Sequence, residues 1–243
     1  MTSHNSKALI FDIETVGENF DQMDEVTQHA LTRAVRENSK SEAELQDGIE
    51  AVRQKTSLSP LTGQIVAIGV LAGDSDKGAV YYQAPGQEGQ ELKHEGIKLA
   101  AMSEPEMLER FWHVVKSCRQ LVGFNSRGFD AFHINIRSAI HGIRPSVDLM
   151  SNRYLGSQRA QVQHIDLLDQ LKYYGAVWGS GLSLHMWCRA FGISSPKDSG
   201  VDGSQVGKLF ADARYEDIAR YNIDDLYATR ELYRAWDKYL NFQ

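Results

Sequence analysis

The sequence predicts an α/β protein built on a mixed sheet flanked by helices. Short apolar, β-branched segments open the chain and recur to about residue 124. Segments with helical spacing lie between them and fill the rest of the chain. A sheet covered on its faces by helices accommodates that order. With 243 residues the chain is long enough for one large α/β domain or two small ones. We read residues 1–243 as one domain with a helical insertion at about 17–59.

Ala8–Thr15 (ALIFDIET) reads as the first strand. The polar stretch from Gly17 to Ser59 carries helical patterns near Gln22–Glu37 and Ser41–Lys55. Gln64–Leu71 and Ala79–Gln83 read as a strand pair around a Gly-Asp-Ser turn. Ser103 and Glu106 make a capping-box pattern before a helix at Met107–Ser117. Leu121–Phe124 reads as a short buried strand, and Phe129–His141 as a helix closed by Gly142. Three helical patterns complete the chain: Ile165–Tyr174, Leu182–Phe191 and Tyr215–Tyr239.

Apolar and charged fractions of 42% and 24% are those of a soluble globular protein. No signal-like core follows the N-terminus, and no apolar run is long enough to span a bilayer. The two cysteines, Cys118 and Cys188, lie in apolar segments that read as helices. They suit free thiols in a reducing cytoplasm better than a disulfide framework. The net charge of −6 argues against simple electrostatic binding of nucleic acid. Any positive charge offered to a phosphate must come from local clustering or from metal ions.

Three acidic motifs carry chemistry. In Phe11-Asp12-Ile13-Glu14-Thr15, strand alternation puts Leu9, Phe11 and Ile13 on one face, and Asp12 and Glu14 on the other. Neighbouring carboxylates repel unless a cation lies between them, and hard divalent ions such as Mg²⁺ or Mn²⁺ take such oxygen ligands. The plain alternative is a solvated polar face on an edge strand. In Gly123-Phe124-Asn125-Ser126-Arg127-Gly128-Phe129-Asp130, a polar turn leads from a strand into a helix opened by Asp130. Taken alone, an Asp there is explained more simply by the helix dipole. In Tyr221-Asn222-Ile223-Asp224-Asp225, residues four apart share a helix face, so Tyr221 and Asp225 can point into one cleft. A solvated acidic patch is the plain alternative.

Together and in this order, FDIET, GFNSRGFD and YNIDD resemble the three motifs of the DEDD superfamily of 3′-5′ exonucleases. The likeness is strongest to the proofreading exonuclease domain of family-B DNA polymerases and its stand-alone predicted relatives. HIDLLD (164–169) and KDSGVDGSQV (197–206) look like segments of those relatives. The resemblance implies a ribonuclease-H-like fold. It also implies Asp12, Glu14, Asp130 and Asp225 as metal-binding carboxylates, and Tyr221 as the residue that positions the attacking water. Hydrolysis would use two divalent cations, Mg²⁺ or Mn²⁺, on a single-stranded 3′ DNA end, with RNA possible. The insertion at 17–59, with nine acidic and five basic residues, is longer than the family's connection. It leaves a lid, an oligomer surface or decoration open.

Substrate contacts are expected from Asn125, Arg127, Phe129 and Arg159. Between Arg127 and Lys172 basic residues outnumber acidic ones, and Tyr154, Tyr173, Tyr174 and Trp178 offer faces for base stacking. Scattered surface arginines and core aromatics explain the same residues equally well. Asp166 reads as an acid behind the site or a helix N-terminal charge. His164 and His185 make no zinc pair by spacing. Two other functions compete: a 3′-5′ exoribonuclease, and a module that binds nucleic-acid ends without cutting. The presence of all four carboxylates argues against the second.

Overall fold

The computed structural model describes residues 8–176, 183–195 and 203–242. Seven strands form one sheet in the order β4-β5-β3-β2-β1-β6-β7. They are β1 (Ala8–Gly17), β2 (Gly63–Ala72), β3 (Gly78–Tyr82), β4 (Glu91–His94), β5 (Ile97–Ala101), β6 (Gln120–Gly123) and β7 (Gln163–Asp166). β1 runs antiparallel to β2 and parallel to β6, and β6 is parallel to β7. The sheet is mixed, as the sequence predicts. Among the described residues there are eight α-helices: α1 (Glu25–Asn38), α2 (Glu42–Gln54), α3 (Glu104–Val115), α4 (Asp130–Ile140), α5 (Leu167–Leu171), α6 (Leu184–Phe191), α7 (Val206–Ala211) and α8 (Tyr215–Tyr239). None is long and apolar enough to cross a membrane.

β1 is central, not an edge strand, and both of its faces are covered. Phe11 and Ile13 pack with Met107, Phe111 and Ile134 of α3 and α4. Ile10 and Val16 pack on the other face with Ile218 and Leu226 of α8. The solvated reading of Asp12 and Glu14 therefore fails, because their face lies under a helix. α3 starts at the Ser103–Glu106 capping box that the sequence shows. Its Glu104 is buried, accepts the Ile65 amide and binds Arg137 of α4 at 2.6 Å, which ties both helices to β2.

Three strands were not legible in the sequence. β4 and β5 form a hairpin whose turn residues, Glu95 and Gly96, both have positive φ. β4 is polar and lies at the sheet edge, so it lacks the apolar alternation that marks buried strands. β7 occupies the start of the segment expected to be helical from Ile165. The helix begins only at Leu167, because Asp166 ends the strand and caps α5. Cys118 lies in the connection after α3, not in a helix, and Cys188 lies in α6; both are buried thiols outside any disulfide. Between β1 and β2, α1 and α2 pack on each other, and Gly48 faces the Val35 side chain.

Candidate active site

Asp12 and Glu14 point from β1 toward α8. Opposite them on β2 stand two small residues, Gly69 and Ala67. A Cβ on Gly69 would lie 1.9 Å from Asn222 Oδ1 and 2.6 Å from Leu226 Cδ1. Only glycine allows α8 to lie this close to the sheet. The register of β1 shifts between Glu14 and Thr15, a bulge of the kind that re-aims side chains beside functional sites.

α8 supplies Asp225. Asp12, Glu14 and Asp225 each offer a carboxylate oxygen, and these oxygens lie within 4.8 Å of one another. Asp225 is the member of the Asp224–Asp225 pair that joins this cluster. Tyr221, one turn earlier and buried, hydrogen-bonds Asp225 through its hydroxyl. Burial and the surrounding carboxylates push the Tyr221 ionisation far up, so the phenol stays protonated and donates.

Asp130 enters from α4. It is 4% exposed, and its Oδ1 accepts the Ile13 amide at 3.0 Å. β6 pairs with β1 only through Ile10, and the Asp130 carboxylate takes a β1 amide beyond that point. Burial raises its pKa to about 7. Burial also raises Asp12 and Glu14 well above the usual carboxylate range, with further upward pushes on Asp12 from Asp130 and Asp225 and on Glu14 from Asp225. Four acids on three elements thus share a setting in which ionisation is costly without a cation. The donor set is all carboxylate oxygen, which suits Mg²⁺ or Mn²⁺.

The loop before Asp130 is held by groups behind it. Asp166 accepts the amides of Asn125 at 3.0 Å and Arg127 at 2.9 Å while capping α5. His164 Nδ1 faces the Leu149 carbonyl at 2.7 Å and so carries the ring proton. Its Nε2 then accepts from Ser126 Oγ at 2.8 Å. Burial lowers the His164 pKa to about 4, which keeps the ring neutral. Asn125 takes a left-handed backbone conformation (φ 56°) at the turn.

A cavity of about 360 Å³ joins these parts. Asp12, Glu14, Asp130 and Asp225 line it, with Phe124, Asn125, Phe129 and Leu184. Of the residues expected to touch substrate, Asn125 and Phe129 are at this cavity. The structure does not bring Arg127 or Arg159 to it. Arg127 donates to the carbonyls of Ser151 at 3.0 Å and Asn152 at 3.1 Å, and Arg159 is exposed elsewhere. Two more cations of the basic stretch have internal partners, Arg137 with Glu104 and Arg153 with Asp169. The Tyr154 and Tyr174 rings pack together at 4.8 Å and Tyr173 is exposed, whereas Trp178 and residues 197–202 lie outside the described residues. Sequence reasoning missed Asn222. It is fully buried on α8, and its Nδ2 donates to Asp12 Oδ2 at 2.8 Å. A larger cavity, of about 760 Å³, lies beyond the end of β1. Thr15, Arg53, Lys55 and Ser57 are among its walls.

Residues 63–240 match a sequence family described as predicted 3′-5′ exonucleases related to the exonuclease domain of PolB. The match contains Asp130, Tyr221 and Asp225 and begins after Asp12 and Glu14. An uncharacterized protein of Methanocaldococcus jannaschii, MJ0365, is 28% identical over 191 residues, which are 76% of this chain and 89% of that protein. The family B DNA polymerase of the archaeon Pyrobaculum calidifontis is similar in structure, with a TM-score of 0.58 and 17% identity. That likeness covers 96% of this chain and 24% of the polymerase, and it shows a shared, ribonuclease-H-like fold.

Proposed function

Because the chain belongs to the family of predicted 3′-5′ exonucleases related to the exonuclease domain of PolB, we propose that it removes nucleoside monophosphates from single-stranded or frayed 3′ DNA ends. One observation carries this reading. Asp12, Glu14 and Asp225, from a strand and a distant helix, gather their oxygens within 4.8 Å in a cavity that Asp130 also lines. A fold does not gather four acids at one cavity, two of them buried, without some use for their charge. Asp12, Glu14, Asp130 and Asp225 would hold two divalent cations. When bound, these supply a nucleophilic water at neutral pH and offset charge on the phosphate and the leaving 3′-oxygen.

The chain's own residues do the rest. Phe124 and Phe129 give the terminal nucleotide an apolar wall, and Asn125 gives it a polar contact at the mouth of the cavity. Tyr221 fixes Asp225 by donating to it, which leaves the phenolic oxygen free to accept from the attacking water and orient it. Tyr221→Phe should therefore lower kcat about 10- to 100-fold with KM little changed. Steady-state kinetics on a short oligonucleotide will show this. A higher KM with unchanged kcat would move Tyr221 to a binding role.

The requirement for an end is tested with topology. A linear single strand should be degraded, a strand with a blocked 3′ hydroxyl should be slowed, and a closed single-stranded circle should survive. Rapid cleavage of the circle would identify an endonuclease instead.

A further inference from the structure

Asn222 sits where the two carboxylates of β1 meet α8, and it is 0% exposed. Its Nδ2 donates to Asp12 Oδ2 at 2.8 Å, and its side chain also hydrogen-bonds Glu14. The amide thus faces both acids of the first motif and donates to Asp12 from Nδ2. The other end of the same side chain is unsatisfied: Oδ1 is buried without a hydrogen-bond partner, against the Cα of Gly69. An orphaned buried acceptor is costly, and an apolar side chain of similar shape would avoid that cost. Asn222 is therefore a poor choice for packing alone. Its value lies in the two hydrogens it presents.

We infer that Asn222 is a positioning residue that fixes Asp12 and Glu14 in the orientation that receives a divalent cation, with Gly69 providing the space for it. The inference rests on the proposed metal-dependent reaction, but it concerns metal affinity and not turnover. Holding one oxygen of a carboxylate turns the other toward the ion and removes the freedom to swing away. Partners of this kind are worth about 10- to 100-fold in metal affinity. Tyr221, the preceding residue of the helix, does the corresponding work on Asp225.

The test is Mn²⁺ binding by calorimetry, with thermal unfolding of the metal-free protein alongside. Asn222→Leu keeps the bulk, removes the orphaned oxygen and removes both donors. Its metal-free melting temperature should stay within a few degrees of the parent, while its Kd for Mn²⁺ should rise about 10- to 100-fold. Asn222→Ser retains one donor and should fall between the two, which provides a reading if the leucine variant does not fold. A packing role predicts the opposite pattern, a lower melting temperature with unchanged Kd. An unchanged Kd in either folded variant overturns the inference while leaving the exonuclease reading intact. If the parent chain itself binds no Mn²⁺, both fall together.

Discussion

Asp225→Asn should lower the rate of hydrolysis on the order of 10³-fold, and Asp224→Asn should leave it within a few-fold of the parent. The two residues are neighbours in sequence, but only Asp225 brings an oxygen within 4.8 Å of those of Asp12 and Glu14. Asp225 also receives the Tyr221 hydroxyl. An amide keeps the shape of the side chain but cannot balance a dication, and electrostatic stabilisation by a bound metal is worth several kcal/mol, with about 1.4 kcal/mol for each tenfold in rate. Asp224 is partly exposed and outside the cluster. Rates in the reverse order would mean that α8 presents a different face to the cavity, and that Tyr221 does not serve it.

Asp12→Ala should abolish hydrolysis to a similar or greater extent while the protein stays folded. Asp12 lies at the centre of the group, with Asp130, Asp225 and Glu14 all raising its pKa on top of burial. Removing it relieves repulsion in the metal-free protein, so the melting temperature without metal should hold or rise. Asn222 still has Glu14 to bind. Stability and activity therefore move apart, which distinguishes loss of a ligand from loss of the fold. Undiminished cutting by a folded Asp12→Ala protein would remove the carboxylates from the reaction.

Much of this site was legible because its residues lie in regular elements. Strand alternation put Asp12 and Glu14 on one face, and helix spacing put Tyr221 and Asp225 on another. The sequence could not show that both faces of β1 are covered, since that depends on α8 crossing the sheet over Gly69. For the same reason nothing in the sequence singled out Asn222. Asp166 reads in the sequence as an acid behind the site or a helix N-terminal charge, and it serves as both. What stayed hidden was β7, because Asp166 ends that strand and caps α5, so four strand residues merged with the leucines of the helix after them. Arg127 misled in the other direction. Its place beside Asp130 in sequence suggested substrate, but its guanidinium reaches back to the 151–152 carbonyls and helps hold the loop.

The acidic net charge fits this picture. With Arg127, Arg137 and Arg153 engaged internally, the cavity has carboxylates and apolar walls but none of these cations. A phosphodiester would be repelled there unless metal ions bridge it to the acids. The central claim is therefore tested most directly by incubating the protein with 5′-labelled single-stranded DNA and RNA in Mg²⁺, in Mn²⁺ and in excess chelator. The prediction is a ladder of shortening, 5′-labelled DNA products with either ion and an intact strand with chelator; preferential shortening of the RNA would make the enzyme an exoribonuclease on the same site. Hydrolysis that persists undiminished in chelator, or no hydrolysis of either strand with either ion, would contradict the account.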